Sequence, residues 1–207
     1  MLEQLNIEVT NKFHDKELVL GFGKEDSIIM MVGEAPGARE VEYKKPFVGS
    51  AGKYLNEFLS VLELEREKLY ITNTVKFRPT KEGKRPGTKT NRTPTKSERD
   101  EFKEYLFKEI DIIKPKIIVT LGNIPLKTIL IDDAITIGQT HGKPMVYTIK
   151  ESEYILFPLY HPAAVIYKRD LKETYLNDLK QLKVVLNKKV WNDWIILFLF
   201  GSIVIEK

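Results

Sequence analysis

Two acids, an aromatic ring, a carboxamide and an imidazole stand where apolar runs of this 207-residue chain stop. Ser27 to Val32 gives way to Gly33-Glu34-Ala35-Pro36-Gly37, with Glu40 just beyond and Pro46-Phe47-Val48-Gly49-Ser50-Ala51-Gly52 after it. Leu69 to Thr72 ends at Asn73, Lys116 to Leu121 at Gly122-Asn123, and Glu153 to Tyr160 at His161-Pro162. Such side chains accept, donate and hold protons, and a ring offers a flat surface for stacking. A backbone rich in Gly and Pro holds Glu34, Glu40 and Phe47 in fixed non-helical geometry. Each has a plain reading: Asn73 as a turn residue, Phe47 as core, Glu34 as a surface acid, His161-Pro162 as a strand-ending turn. The joint pattern GEAPG, PFVGSAG, YITNTVKFRPT, NRTPT and LYHPAAV, in that order, is what marks a site.

The elements that must position these residues alternate. The four apolar runs read as strands buried on both faces. Between them lie a helix after the Gly-rich loop, with Tyr54, Leu55, Phe58, Leu59 and Leu62 on one face, a short helix Ile124 to Leu130, and a closing helix Leu171 to Leu186. Thr95 with Glu98 three residues on is a capping box, so a helix is expected from Lys96 to about Ile113. Residues 1 to 23 read as an N-terminal arm with a short strand within Glu17 to Phe22, and Pro79, Gly83, Pro86, Gly87 and Pro94 deny the segment between them regular structure. The fold class is therefore α/β: three layers, α/β/α, around a central four-stranded parallel sheet. In such sheets ligands sit beyond the carboxyl ends of the strands, where the residues above lie.

Composition bounds the rest. The length suits one domain, residues 1–190, followed by an apolar tail, 191–207, too short to span a bilayer. The chain has no cysteine, which excludes disulfides, thiolate nucleophiles and cysteine-held metal or iron–sulfur centres, and three histidines, His14, His141 and His161, argue against a histidine metal cluster. No metal site is expected. The net charge of +4 conceals nine Lys or Arg against two acids from Lys76 to Arg99, a concentration that fits a polyanionic partner. Met1 to Thr10 lacks the order of a signal peptide, so a cytoplasmic protein without membrane attachment is expected.

The five stretches, spanning about Gly23 to Leu186, resemble the motifs of the uracil-DNA glycosylase superfamily, and specifically its family 4. The resemblance implies a monofunctional enzyme of base excision repair that flips uracil out of DNA and hydrolyses its N-glycosidic bond, leaving an abasic site. It implies Phe47 as the stacking floor, Asn73 as the reader of uracil, His161 as donor to O2, and Gly33 and Ala35 lining the pocket. Where the best-known branch has a water-positioning Asp, this chain has Ala35, as family 4 members have a small residue. The acids left to steer the water or the cationic sugar are Glu34 and Glu40, with Asn91 as a partner, and Glu34 is favoured for the water. Pro162, Ala163 and Ala164 resemble a loop that wedges into the minor groove. Gly49 and Ser50 would hold a phosphate at a helix start, with Lys89, Arg92 and Thr93 adding backbone contacts. No lysine stands where an amine nucleophile is expected, so no lyase step follows.

The family's four-iron–four-sulfur cluster is held by four cysteines, absent here, so no cofactor is expected. Phe77 and Phe102 fall at two of those places, and counting back from Gly23 puts Asn6 and Val9 near the others; the phenylalanines read as apolar packing in the cluster's volume. A monomer acting on uracil-containing DNA is expected. The alternatives are a glycosylase for another deaminated or oxidised base, or a catalytically silent module that binds damaged DNA.

Overall fold

The four apolar runs become four adjacent parallel strands, because each is buried on both faces and has helical chain to return it in the same direction. In the computed structural model, which describes residues 1–167 and 170–187, the strands are β1 Phe22–Gly23, β2 Ile29–Gly33, β3 Tyr70–Asn73, β4 Thr80–Glu82, β5 Lys89–Asn91, β6 Ile117–Leu121, β7 Met145–Ile149 and β8 Ser152–Leu159. The helices are α1 Leu2–Lys12, α2 Ala38–Tyr43, α3 Ser50–Leu62, α4 Lys96–Ile113, α5 Asn123–Leu130, α6 Ile137–Thr140, α7 Pro162–Tyr167 and α8 Leu171–Asn187. The main sheet runs β1-β3-β2-β6-β8-β7; β3, β2, β6 and β8 are parallel, as expected.

Two antiparallel edges, β1 on β3 and β7 on β8, enlarge the expected four strands to six. Other corrections are local. The N-terminal arm opens with α1, whose Leu2, Leu5 and Val9 are buried. The segment held to be irregular contains the hairpin β4–β5, paired from Thr80↔Asn91 to Glu82↔Lys89. The stretch after His161 is not a loop but the start of α7. The tail, 191–207, lies outside the described residues.

Strand alternation sorts the core into two layers. Met30, Val32, Tyr70 and Ile118 pack with α1, α4 and α5, while Met31, Ile71, Val119 and Phe157 pack with α3 and α8. The carboxyl ends of the parallel strands thus meet at one edge of a rigid slab. On the first face Phe13 stacks on Phe102 at 4.1 Å between centroids, and Phe77 lies 5.8 Å from Phe102. Val9 is buried nearby and Asn6 is half-buried. None of these side chains is a thiolate, and the chain has no cysteine elsewhere to supply one, so an iron–sulfur cluster does not fit this chain.

Candidate active site

A cavity of about 500 Å³ opens at the carboxyl ends of β2, β3 and β8, and its wall includes Ala35, Glu40, Phe47, Asn73, Asn91 and His161. Its centre is made possible by what Gly33 lacks. A Cβ there would overlap both Asn73 Oδ1 and the edge of the Phe47 ring, so the glycine lets a strand-end carboxamide and a loop aromatic meet.

Phe47 occupies a backbone region that bulky residues rarely adopt, with φ 52°. Such a conformation costs about 1–3 kcal/mol and persists only where neighbours enforce it. Three do so here. Arg66 donates from Nη2 to the Pro46 carbonyl at 2.7 Å. Glu40 Oε1 accepts from Val48 N at 3.1 Å and Gly49 N at 2.7 Å, while Oε2 accepts from Gly37 N at 3.1 Å. Gly52 admits the Phe47 carbonyl where any Cβ would collide with it. The ring ends 5.9 Å from that of His161.

The protonation of His161 follows from its contacts. Ala163 N donates to Nδ1 at 3.1 Å, so Nδ1 carries a lone pair and the proton resides on Nε2. Burial pushes its pKa down to about 4 against the weaker pull of Glu40, which leaves a neutral imidazole with one N–H donor at pH 7. Asn73 is buried, and its carboxamide makes no hydrogen bond to the described residues, so both its acceptor and its donors remain for a ligand.

Beneath Asn73 lies a buried network. Lys76 Nζ donates to Thr72 Oγ1 at 2.6 Å, to Asn73 O at 2.8 Å and to Glu109 Oε2. Glu109 also accepts from the hydroxyls of Tyr70 and Thr72. Lys76 had read as part of the cationic segment; it is instead fully enclosed.

The other expected residues divide. Glu34 is not among the residues lining the cavity; its half-buried carboxyl stands beside Thr93, and burial raises its pKa. Asn91 lies on the wall, where its Oδ1 accepts from Arg78 Nε at 2.7 Å. Gly49 N is taken by Glu40, which leaves Ser50 as the exposed start of α3. Arg92 is held bidentately by Glu98 at 2.6 Å and donates to Thr80 O, so its charge is largely spent within the protein. Lys89 and Thr93 are exposed. Pro162 is buried and cannot serve as a wedge, whereas Ala163 and Ala164 are half-buried and Ala163 reaches the cavity.

Sequence reasoning missed Arg39 and Lys53, exposed cations on the cavity wall, and Lys53 puts an amine where none was expected. Both follow a Gly-rich stretch by a few residues, which was the available signal. It also missed Arg66, whose role requires a contact twenty residues away.

A family model described as the Uracil DNA glycosylase superfamily matches residues 20–181. The type-4 uracil-DNA glycosylase of Sulfurisphaera tokodaii is 41% identical over 169 residues, covering 80% of this chain and 73% of that one. That of Archaeoglobus fulgidus is 39% identical over 176 residues, 83% of each, and that of Thermotoga maritima 33% identical over 174 residues, 83% of this chain and 84% of that one.

Proposed function

Because the chain belongs to the uracil-DNA glycosylase superfamily, we propose that it excises uracil from DNA by hydrolysing the bond between the base and C1′ of deoxyribose, leaving an abasic site for base excision repair. The observation that carries this reading is the convergence of Phe47, Asn73 and His161 on one cavity. Uracil enters it everted from the helix, at a cost of a few kcal/mol. Stacking on Phe47 returns about 1–3 kcal/mol. Asn73 Oδ1 accepts from N3–H and Nδ2 donates to O4; cytosine presents the reverse pattern and leaves the carboxamide mispaired. As the glycosidic bond breaks, negative charge grows on O2 and is met by the Nε2 proton of His161, a donor of the kind worth about 3–4 kcal/mol.

The attacking water goes to Glu40 rather than Glu34. Three backbone N–H groups fix the Glu40 carboxylate on the cavity wall, two on Oε1 and one on Oε2, so Oε2 keeps a lone pair for a water. Asn91 Nδ2 and Glu40 Oε2 both flank Gly37 at the cavity wall. Glu34 assists only at the margin, beside Thr93. Ala35 lines the pocket, and Gly33 behind it leaves the room in which Asn73 and Phe47 meet. Ser50, Lys89, Thr93, Arg39 and Lys53 take DNA phosphates, and Ala163 with Ala164 fills the gap left by the base.

The reaction needs water and no cofactor. It ends at the abasic site, with Lys53 binding phosphate rather than attacking C1′. A single cytoplasmic domain acting as a monomer suffices for it, and no helix among the described residues is long and apolar enough to cross a membrane. The test is incubation of the purified protein with a duplex holding one uracil. Free uracil and an alkali-labile site are expected, with no borohydride-trapped adduct; intact DNA would refute the reading, and a trapped adduct would refute its hydrolytic ending.

A further inference from the structure

Among the described residues, Lys76 and Glu109 form a fully buried ion pair that the reaction above does not use. Lys76 and Glu109 are 1% and 2% exposed. Burying such a pair is seldom a route to stability, since apolar residues of like volume are as stable or more so. Its geometry suggests another purpose. Tyr70 and Thr72 project from the same face of β3, toward α4, and Glu109 on α4 binds both hydroxyls. Asn73, next in register, belongs to the opposite face, where Phe47 lies. Lys76 bridges the two by donating to the Asn73 carbonyl while anchored on Thr72 and Glu109. Thr74 completes the hold, with N and Oγ1 both donating to Gly33 O, at 2.8 and 3.0 Å.

Building on the uracil-excision reading, we infer that Lys76 and Glu109 are positioning residues for base recognition. They fix the Asn73 peptide from behind the sheet, so that a carboxamide without protein partners keeps one orientation in the cavity. Preorganisation of this kind makes a reader selective, because a carboxamide rotated by half a turn offers a donor to N3 and an acceptor to the exocyclic amine, the pattern that cytosine needs.

The test compares Lys76→Met, Glu109→Gln and the double variant Lys76→Met/Glu109→Met with the wild-type protein. It reads melting temperature, single-turnover base release at saturating DNA, DNA affinity, uracil-over-cytosine discrimination, and the side-chain amide NMR signals of Asn73. Lys76→Met alone strands Glu109 and is destabilised, whereas the double variant replaces the pair with apolar volume and melts near the wild type. The inference expects that stable double variant to release uracil at least tenfold more slowly, with affinity changed less than threefold, discrimination reduced and the Asn73 signals broadened or split. A double variant that recovers melting temperature, rate and discrimination together overturns it. Should the double variant not fold, Glu109→Gln decides: slower release with altered Asn73 signals supports the inference, and wild-type behaviour overturns it. If the wild type releases no uracil, the functional reading fails on its own, and the Asn73 signals alone judge the positioning claim.

Discussion

Nine cations between residues 76 and 99 look alike in the sequence, yet the buried network and the β4–β5 hairpin use them in opposite ways. Lys76 spends all three ammonium protons on protein acceptors, and Arg92 is closed onto Glu98, whose carboxyl it holds down to a pKa of about 2. On the hairpin and its turn, Lys81, Lys84, Arg85 and Lys89 make no ion pair among the described residues. The difference is access to water. An enclosed charge needs a partner for every proton and so fixes geometry, whereas a solvated charge loses little by staying unpaired and is left to attract a polyanion. A count of local charge therefore overstates what faces DNA.

The contrast breaks most readily at Lys76. Lys76→Ala strands Glu109 and should lower the free energy of unfolding by about 3–5 kcal/mol in urea titrations, while alanine at Lys84 should change it by less than about 0.5 kcal/mol. Equal effects at the two positions would erase the distinction. His161→Ala, on the enclosed side, should slow single-turnover uracil release by about 100-fold or more with binding nearly intact, as expected for one lost donor. A wild-type rate would remove His161 from the chemistry. Arg66→Ala frees the Pro46 carbonyl and the conformation of Phe47, and should cost about 1.5–3 kcal/mol in base release, as for other charge-assisted bonds. Paired alanines at Lys84 and Arg85 should leave the saturated rate alone and reduce the log–log salt slope of DNA binding by about 0.9 per charge removed. The same pair altering rate but not slope would reverse the assignment.

The enclosed side also predicts a pH dependence. His161 titrates lower in the folded protein, near 4, than in the unfolded chain, near 6.5. Its contribution to stability is therefore fully present above pH 6.5 and is lost as pH falls from there through 4. Its ring resonances should stay those of a neutral imidazole from pH 8 down to about 5.

What the sequence disclosed follows the same division between local and distant causes. The helix from Lys96 to Ile113 was legible residue by residue because its capping box is chemistry among neighbours. The parallel strands were legible because burial on both faces leaves continuous apolar runs. α1 was not: Leu2, Leu5 and Val9 are a sparse stripe among charges, and what secures them is α4, some hundred residues on. The turn of Phe47 into positive φ was hidden because glycine is the residue that normally marks such a place. At the site, Phe47, Asn73 and His161 were visible as types at strand ends, but the departure of Glu34 from the cavity and the lodging of Lys76 beneath it depend on Thr93 and Glu109, which only folding brings near.

The three phenylalanines behind α1 carry a consequence for when this protein is ready for work. A fold closed there by Phe13, Phe77 and Phe102, in a chain without a single thiol, offers no cysteine on which an iron–sulfur cluster could be loaded after synthesis, or from which peroxide or a chelator could strip one. As far as such a cluster is concerned, maturation does not wait on iron.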